Sequence, residues 1–278
     1  AAELEALLAA QRDPQSSLFR RYLSTGEFAQ RFAPTPQSVA EIVTYFRSFH
    51  VNVHYDAASL VADAVGAASD VEQLLHTDIR VSRHRGALLV ATEPLTLPSP
   101  LAHLVTGVVG LSRATRAHHH VGAAPRVSTS ITSCSGASYA SGLTAQEQGA
   151  LYGIDQLWNN GVSGAGHTIA LYELANYRAS DLTTFFSCYG INPTLSSTTI
   201  GGGASGFDAE VALDIQQAGV LAPGATLAIY TAPNDNTGPV DLFAKIANDN
   251  TSDVVSISWG ICEAATDAVA EAPIFQQM

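Results

Sequence analysis

Apolar positions along the chain change their period near its middle, and the predicted architecture changes with them. Between Ser38 and Phe49, the apolar residues Val39, Ile42, Val43 and Phe46 recur at helical spacing behind Pro36, which predicts an amphipathic helix entered at the proline. Val51-Asn52-Val53-His54-Tyr55 then alternates as a half-buried strand does. A short helix around Asp70 to Leu75 follows, and Ile79 to Ser82 with Ala87 to Ala91 flank the turn Arg83-His84-Arg85-Gly86 as a hairpin. Helix, strand, helix and hairpin in that order fit a compact antiparallel α+β unit.

From Thr144 onward strands and helices alternate. His167 to Glu173 is a continuous apolar strand ending in an acid, and Thr226 to Thr231 and Asp253 to Ser258 are two more buried strands. Helices are predicted at Asp181 to Tyr189 and Val240 to Ala247. Near-continuous apolar strands separated by helices imply a parallel sheet covered on both faces. In such sheets ligands collect beyond the carboxyl ends of the strands, where Glu173 and Ser258-Trp259-Gly260 fall. Residues 112 to 143 differ from both halves. They are rich in Ser, Ala, Thr and Gly without a sustained period, and read as an exposed linker that proteases cut. The triplet His118-His119-His120 is expected to be solvated there.

The most informative local pattern is Glu210-Val211-Ala212-Leu213-Asp214, which follows the glycine-rich Gly201 to Gly206. The predicted helix runs on through Ile215, Ala218 and Val220 and stops at Pro223-Gly224. The i, i+4 spacing puts both acids on one helix face, about 5 to 6 Å apart. Acids at this spacing usually mark a solvated face, and the helix macrodipole favours them near the start by less than about 1 kcal/mol each. That is too little to explain two in succession without a counterion. Crowded carboxylates do not both ionise easily, so one keeps its proton to unusually high pH and can act as a general acid or base under acidic conditions.

Length and charge narrow the function classes. The 278 residues are 46% hydrophobic and 14% charged, enough for one large or two ordinary domains with real cores. No run of about 20 apolar residues is present, so no membrane span is expected, and Ala1 opens without a signal-peptide pattern. The net charge of -12 is unevenly placed: residues 1–140 hold eleven Lys+Arg against eleven Asp+Glu, whereas residues 141–278 hold two bases, Arg178 and Lys245, against fourteen acids. A module so poor in bases gains little positive charge as its carboxylates protonate, and so escapes much of the self-repulsion that unfolds proteins in acid. Nucleic acid is an unsuitable partner, since neither half carries a basic patch. Cys134, Cys188 and Cys262 show no metal spacing, and their odd number leaves one free thiol or a partner elsewhere.

Taken together, Gly166 to Glu173, Glu210 to Ile215, Ala222-Pro223-Gly224-Ala225 and Val255 to Gly260 with Glu263 resemble the sedolisins, the serine-carboxyl peptidases. Asp13-Pro14-Gln15-Ser16, Glu27-Phe28, Phe32-Ala33-Pro34 and Val109-Gly110-Leu111 are similar to the propeptide of that family. The resemblance implies a propeptide at 1–111 with a ferredoxin-like antiparallel α+β fold, a linker with the processing site at 112–143, and the N-terminal part of a subtilisin-like α/β peptidase domain at 144–278. It implies that Glu210 is the general base toward a nucleophilic serine and that Asp214 holds and tunes it. Ser258-Trp259-Gly260 would be the edge along which a substrate peptide lies antiparallel, and Glu173 and Trp259 would extend the proton network.

The family's Gly-Thr-Ser nucleophile, oxyanion-stabilising aspartate and calcium-binding loops have no counterpart up to Met278. On this reading the chain is a propeptide plus about the first third of a peptidase domain, inactive alone for want of nucleophile and oxyanion donors. Calcium, a peptide or protein substrate, the propeptide as intramolecular inhibitor, the C-terminal part of the domain and an extracellular location are expected by resemblance.

Two rivals stand beside this reading. A subtilisin-like protease with an Asp-His-Ser triad would need an aspartate ending the first strand and a histidine opening the catalytic helix, where Glu173 and Glu210 stand instead; His167 lies about 20 Å from the strand's carboxyl end. A non-catalytic secreted binding or inhibitory protein with a degenerate peptidase half is the other. Eight of the nine histidines precede residue 121, and those expected inside elements, His50, His54 and His76, would destabilise the propeptide on charging if buried neutral.

Overall fold

The computed structural model describes residues 2–55, 60–83, 88–93, 95–111, 116–119, 143–263, 266 and 268–278. Residues 84–86 of the expected turn, Cys134 and most of the linker lie outside them. The fold is mixed α/β, with two small antiparallel sheets and one four-stranded parallel sheet. It divides into two compact units, one comprising 1–116, 235–250 and 261–278, the other 117–234 and 251–260.

The first unit opens with α1 (Ala2–Arg12), α2 (Thr25–Phe32) and α3 (Pro36–Arg47). Sequence periodicity marks only α3, whose N-cap Thr35 accepts from the Ser38 N–H ahead of Pro36. α2 is short but closed by a capping box between Ser24 and Glu27. β1 (Asn52–Tyr55) pairs antiparallel with β2 (Ala62–Val65), and, after α4 (Ala68–Leu75), β3 (Ile79–Ser82) pairs with β4 (Leu88–Ala91). The hairpin stands where the alternation put it. β2, with all four residues exposed, carries no hydrophobic pattern to read. Phe46, Val51, Leu74, Leu75 and Leu101 form the core here. A second cluster gathers Val240 and Ala244 of α9 (Gly238–Asp249) and Ile274 of α10 (Ala268–Gln277), with Val61 and Val109 packed against it.

His50, His54 and His76 are all exposed. His50 and His76 sit at positive φ, where the chain turns out of α3 and α4. An exposed imidazole has no lost hydration to recover on charging, so the buried-histidine trigger expected from the sequence has no basis at these positions.

In the second unit β5 (Thr168–Glu173), β6 (Thr194–Thr199), β7 (Thr226–Thr231) and β8 (Val254–Ile257) form a parallel sheet in the order β6-β7-β5-β8. β5 therefore has a neighbour on each side, and its last four residues are buried. β6 escaped the sequence reading because its Ser and Thr side chains lie along an exposed edge. α5 (Ala145–Leu151) and α6 (Ile154–Asn159) precede the sheet, and α7 (Ala179–Tyr189) and α8 (Ala209–Leu221) follow β5 and β6. Leu171, Leu227 and Ile229 of the sheet pack with Leu182 and Phe186 of α7 and Val211 and Ile215 of α8. Among the described residues no helix is long and apolar enough to cross a membrane. Cys188 is disulfide-bonded, and Cys262 is an exposed free thiol.

α7 and α8 touch closely at Gly219, where an added Cβ would lie 2.6 Å from the Phe186 ring. Gly219→Ala should therefore destabilise the unit by about 1–3 kcal/mol through overpacking, against the gain of up to about 1 kcal/mol that helix propensity alone gives alanine. Denaturant unfolding decides the sign; a stabilised variant would mean that Phe186 yields freely.

Candidate active site

β5 carries Glu173 to the carboxyl end of the sheet. Tyr172 is level with Ile257 of β8, so Ser258 and Trp259 leave the sheet beside Glu173. Glu173 is fully buried, and the Trp259 indole Nε1–H donates to its Oε2 at 3.0 Å.

The second wall is the start of α8. Asn176, just past β5, donates its N–H to the Gly206 carbonyl, accepts from the Asp208 N–H, and donates its side-chain amide to the Ala204 carbonyl at 2.6 Å. The loop reaches this position through Gly201, Gly202, Gly203 and Gly206, all at positive φ, a conformation costly for residues with a Cβ. Asp208 caps the helix, its Oδ1 accepting from the Glu210 N–H at 3.0 Å. Glu210 is 4% exposed and Asp214 partly buried one turn further on.

Glu210, Asp214 and Glu173 thus converge from α8 and β5, with Ser258 and Trp259 beside them. Their acidities follow from the surroundings. Burial pushes Glu173 up to about 8, opposed by the Trp259 N–H and reinforced by Asp214 and Glu210. Burial also raises Glu210, as does the Asp214 charge, while His119 and the Ser258 hydroxyl pull the other way. Asp214 is raised by burial, against the Ser258 hydroxyl, Glu173 and His119. Glu173 Oε1 is buried without a hydrogen-bond partner of good geometry, so Asp214 couples to it by proximity more than by a well-formed bond. A carboxyl with one donor for two buried oxygens is far cheaper neutral than charged. Glu173 holds the proton of this group.

His119 departs from the sequence reading. It is partly buried rather than solvated, with Nε2 3.0 Å from Asp208 Oδ2, Nδ1 3.5 Å from Glu210 Oε2, and its ring edge-on to Trp259 with centroids 5.4 Å apart. The backbone before it is extended and held. His118 and Gly260 exchange both main-chain hydrogen bonds at 3.0 and 3.1 Å, and Ala117 exchanges two with the Asn234 side chain. The available signal was the imidazole triplet itself, next to an acidic module; its low-complexity surroundings concealed it. His120 lies outside the described residues. Among the described residues no three His, Cys, Asp or Glu side chains gather as a metal site.

Because Glu173 has a higher pKa folded than unfolded, the folded chain binds the extra proton between about 4.5 and about 8. Its stabilising contribution is complete below the lower value and is lost as pH rises through the upper one. Glu173→Gln should flatten the decline in stability across that window. Denaturant midpoints measured from pH 4 to 9 check this; an equally steep decline in the variant would place the proton elsewhere.

Comparison with known proteins finds similarity along most of the chain. Residues 1–114 match the pro-kumamolisin activation domain. Over 284 residues the chain is 28% identical to sedolisin from Pseudomonas sp. (strain 101), an alignment covering 96% of this chain and 47% of that protein. It is 29% identical over 259 residues to kumamolisin from Bacillus sp. (strain MN-32), covering 87% and 45%. It is 26% identical over 303 residues to xanthomonalisin from Xanthomonas sp. (strain T-22), covering 99% and 36%. The chain spans about half the length, or less, of these relatives. With an activation-domain match over residues 1–114 and these similarities along nearly all its length, the chain is similar to the sedolisins.

Proposed function

We propose that this chain is part of a proenzyme of an acid-active, extracellular serine-carboxyl peptidase, in which Glu210 is the general base and Asp214 its tuning partner. The observation that carries the reading is the convergence of Glu210, Asp214 and Glu173 at the carboxyl end of a parallel sheet, with burial raising the pKa of each. In this reading residues 1–111 are the inhibitory propeptide, 112–143 hold the processing site, and 144–278 begin a subtilisin-like peptidase domain. The nucleophilic serine, the oxyanion-stabilising aspartate and the calcium loops belong to sequence other than these residues.

The chemistry follows from the proton inventory. A carboxylate in water is a poor base toward a hydroxyl, but one whose pKa is raised by burial and neighbouring acids is a better one. Glu210 takes the proton as the serine oxygen bonds to the peptide carbonyl carbon. It returns that proton to the amine when the carbon–nitrogen bond breaks. Water, deprotonated by the same group, then releases the acyl chain. Glu173 keeps its proton, so Glu210 and Asp214 face a neutral neighbour and titrate as a pair, from which Glu210 supplies the base at acid pH. The extended edge at Gly260, already paired with His118 in antiparallel fashion, supports main-chain recognition of a peptide.

The complete gene product, expressed with any coding sequence past Met278, is the material for the test. It should contain a Gly-Thr-Ser segment and hydrolyse peptides in acid, and Glu210→Gln or Asp214→Asn should lower kcat/KM by about 10²- to 10⁴-fold. Hydrolysis unaffected by either substitution, or no hydrolysis by the processed wild type, would contradict the reading.

A further inference from the structure

The segment 117–119 occupies the sheet edge in the manner of a bound peptide, and its side chains say what the edge accepts. His118 is the paired residue, exchanging both main-chain bonds with Gly260. Alternate residues of an extended chain point to opposite sides, and the next side chain, His119, turns inward. Three walls receive it: the Asp208 carboxylate at 3.0 Å, Glu210 at 3.5 Å, and the Trp259 ring meeting it edge-on.

Each wall is built by something other than the histidine. Asp208 is fixed as the N-cap of α8 through its Oδ1, which leaves Oδ2 directed at the imidazole. Trp259 is fixed by its bond to Glu173. Glu210 is 4% exposed, and its buried Oε2 has no hydrogen-bond partner although it faces His119 Nδ1. Two carboxylates on different atoms of one ring, beside an aromatic wall, match a flat or extended cation and leave a neutral or acidic side chain unsatisfied. The Gly260 pairing fixes the depth at which that side chain enters.

We propose that Asp208, Glu210 and Trp259 form a subsite for a cationic side chain of the peptide substrate, and that Asp208 is its specificity-determining residue. The subsite takes the residue one position C-terminal to the one paired with Gly260, and His119 fills it from within the chain. This inference rests on the peptidase reading. Asp208 differs in role from Glu210: it touches the incoming side chain and performs no proton transfer with the scissile bond.

The test uses the complete, processed protein and peptide libraries varied at each position on both sides of the cut, assayed at about pH 4, where His, Lys and Arg are all cationic. One position should prefer those three over Gln, Leu and Glu. Asp208→Asn, which keeps the helix cap, should cut the ratio of kcat/KM for the cationic over the neutral peptides about tenfold, as loss of one charge-assisted hydrogen bond predicts. If that variant is poorly folded, Asp208→Ser supplies the same cap without the charge. Cleavage with one unaltered preference in wild type and both variants overturns the subsite assignment while leaving the peptidase reading intact. No cleavage by the wild type overturns the peptidase reading, and this inference with it.

Discussion

Glu173 is fully buried at the end of a strand that has neighbours on both sides, and among the described residues one indole N–H is its only well-formed side-chain hydrogen bond. An ionised carboxylate in that position would cost several kcal/mol, so the group is held neutral and the arrangement around it is set. Asp214 and Glu210, brought alongside by α8, then feel a protonated neighbour in place of a second charge. Three acids can share this small space because the sheet excludes water from one of them. Burial is the largest influence on each of the three, larger than any single neighbour.

The rest of the second unit keeps that geometry in place. The core formed by Leu171, Leu227, Ile229, Val211 and Ile215 locks α8 against the sheet, so the acids of its first two turns stay where β5 ends. Asn176 ties the glycine-rich loop to the residue after the strand, and Asp208 starts the helix at a defined point. A loop of ordinary residues would not hold four positive-φ positions without strain. Two of its products, the Oδ2 of Asp208 and the buried Oε2 of Glu210, face the imidazole of His119.

Much of this was legible from residues alone. β5 and β7 could be read because buried parallel strands are continuously apolar, and β7 falls at the residues so read, Thr226–Thr231; β8 shares the apolar run but is a partly exposed edge strand, not the buried one expected. The helix carrying Glu210 and Asp214 could be read from its spacing and its Pro223-Gly224 stop. β2, β6 and α5 could not: the strands are polar or small because their side chains face water, and α5 has only seven residues, too few for a periodicity. His119 was hidden for a different reason. Its place depends on a long-range backbone pairing with Gly260, which local composition does not encode, and the surrounding Ser, Ala and Gly read as solvated chain. The exposed His50, His54 and His76 show the converse error: His54 takes the exposed face of β1, and His50 and His76 stand just past α3 and α4 rather than within them.

The direct measure of the central claim is the protonation of the buried carboxyl itself. Side-chain carboxyl signals of ¹³C-labelled protein, followed by NMR from pH 3 to 9, should include one that titrates near 8 and is absent from Glu173→Gln. If every Asp and Glu carboxyl in the wild type instead titrates below about 5, as exposed acids do, the shared-proton account of this site is wrong.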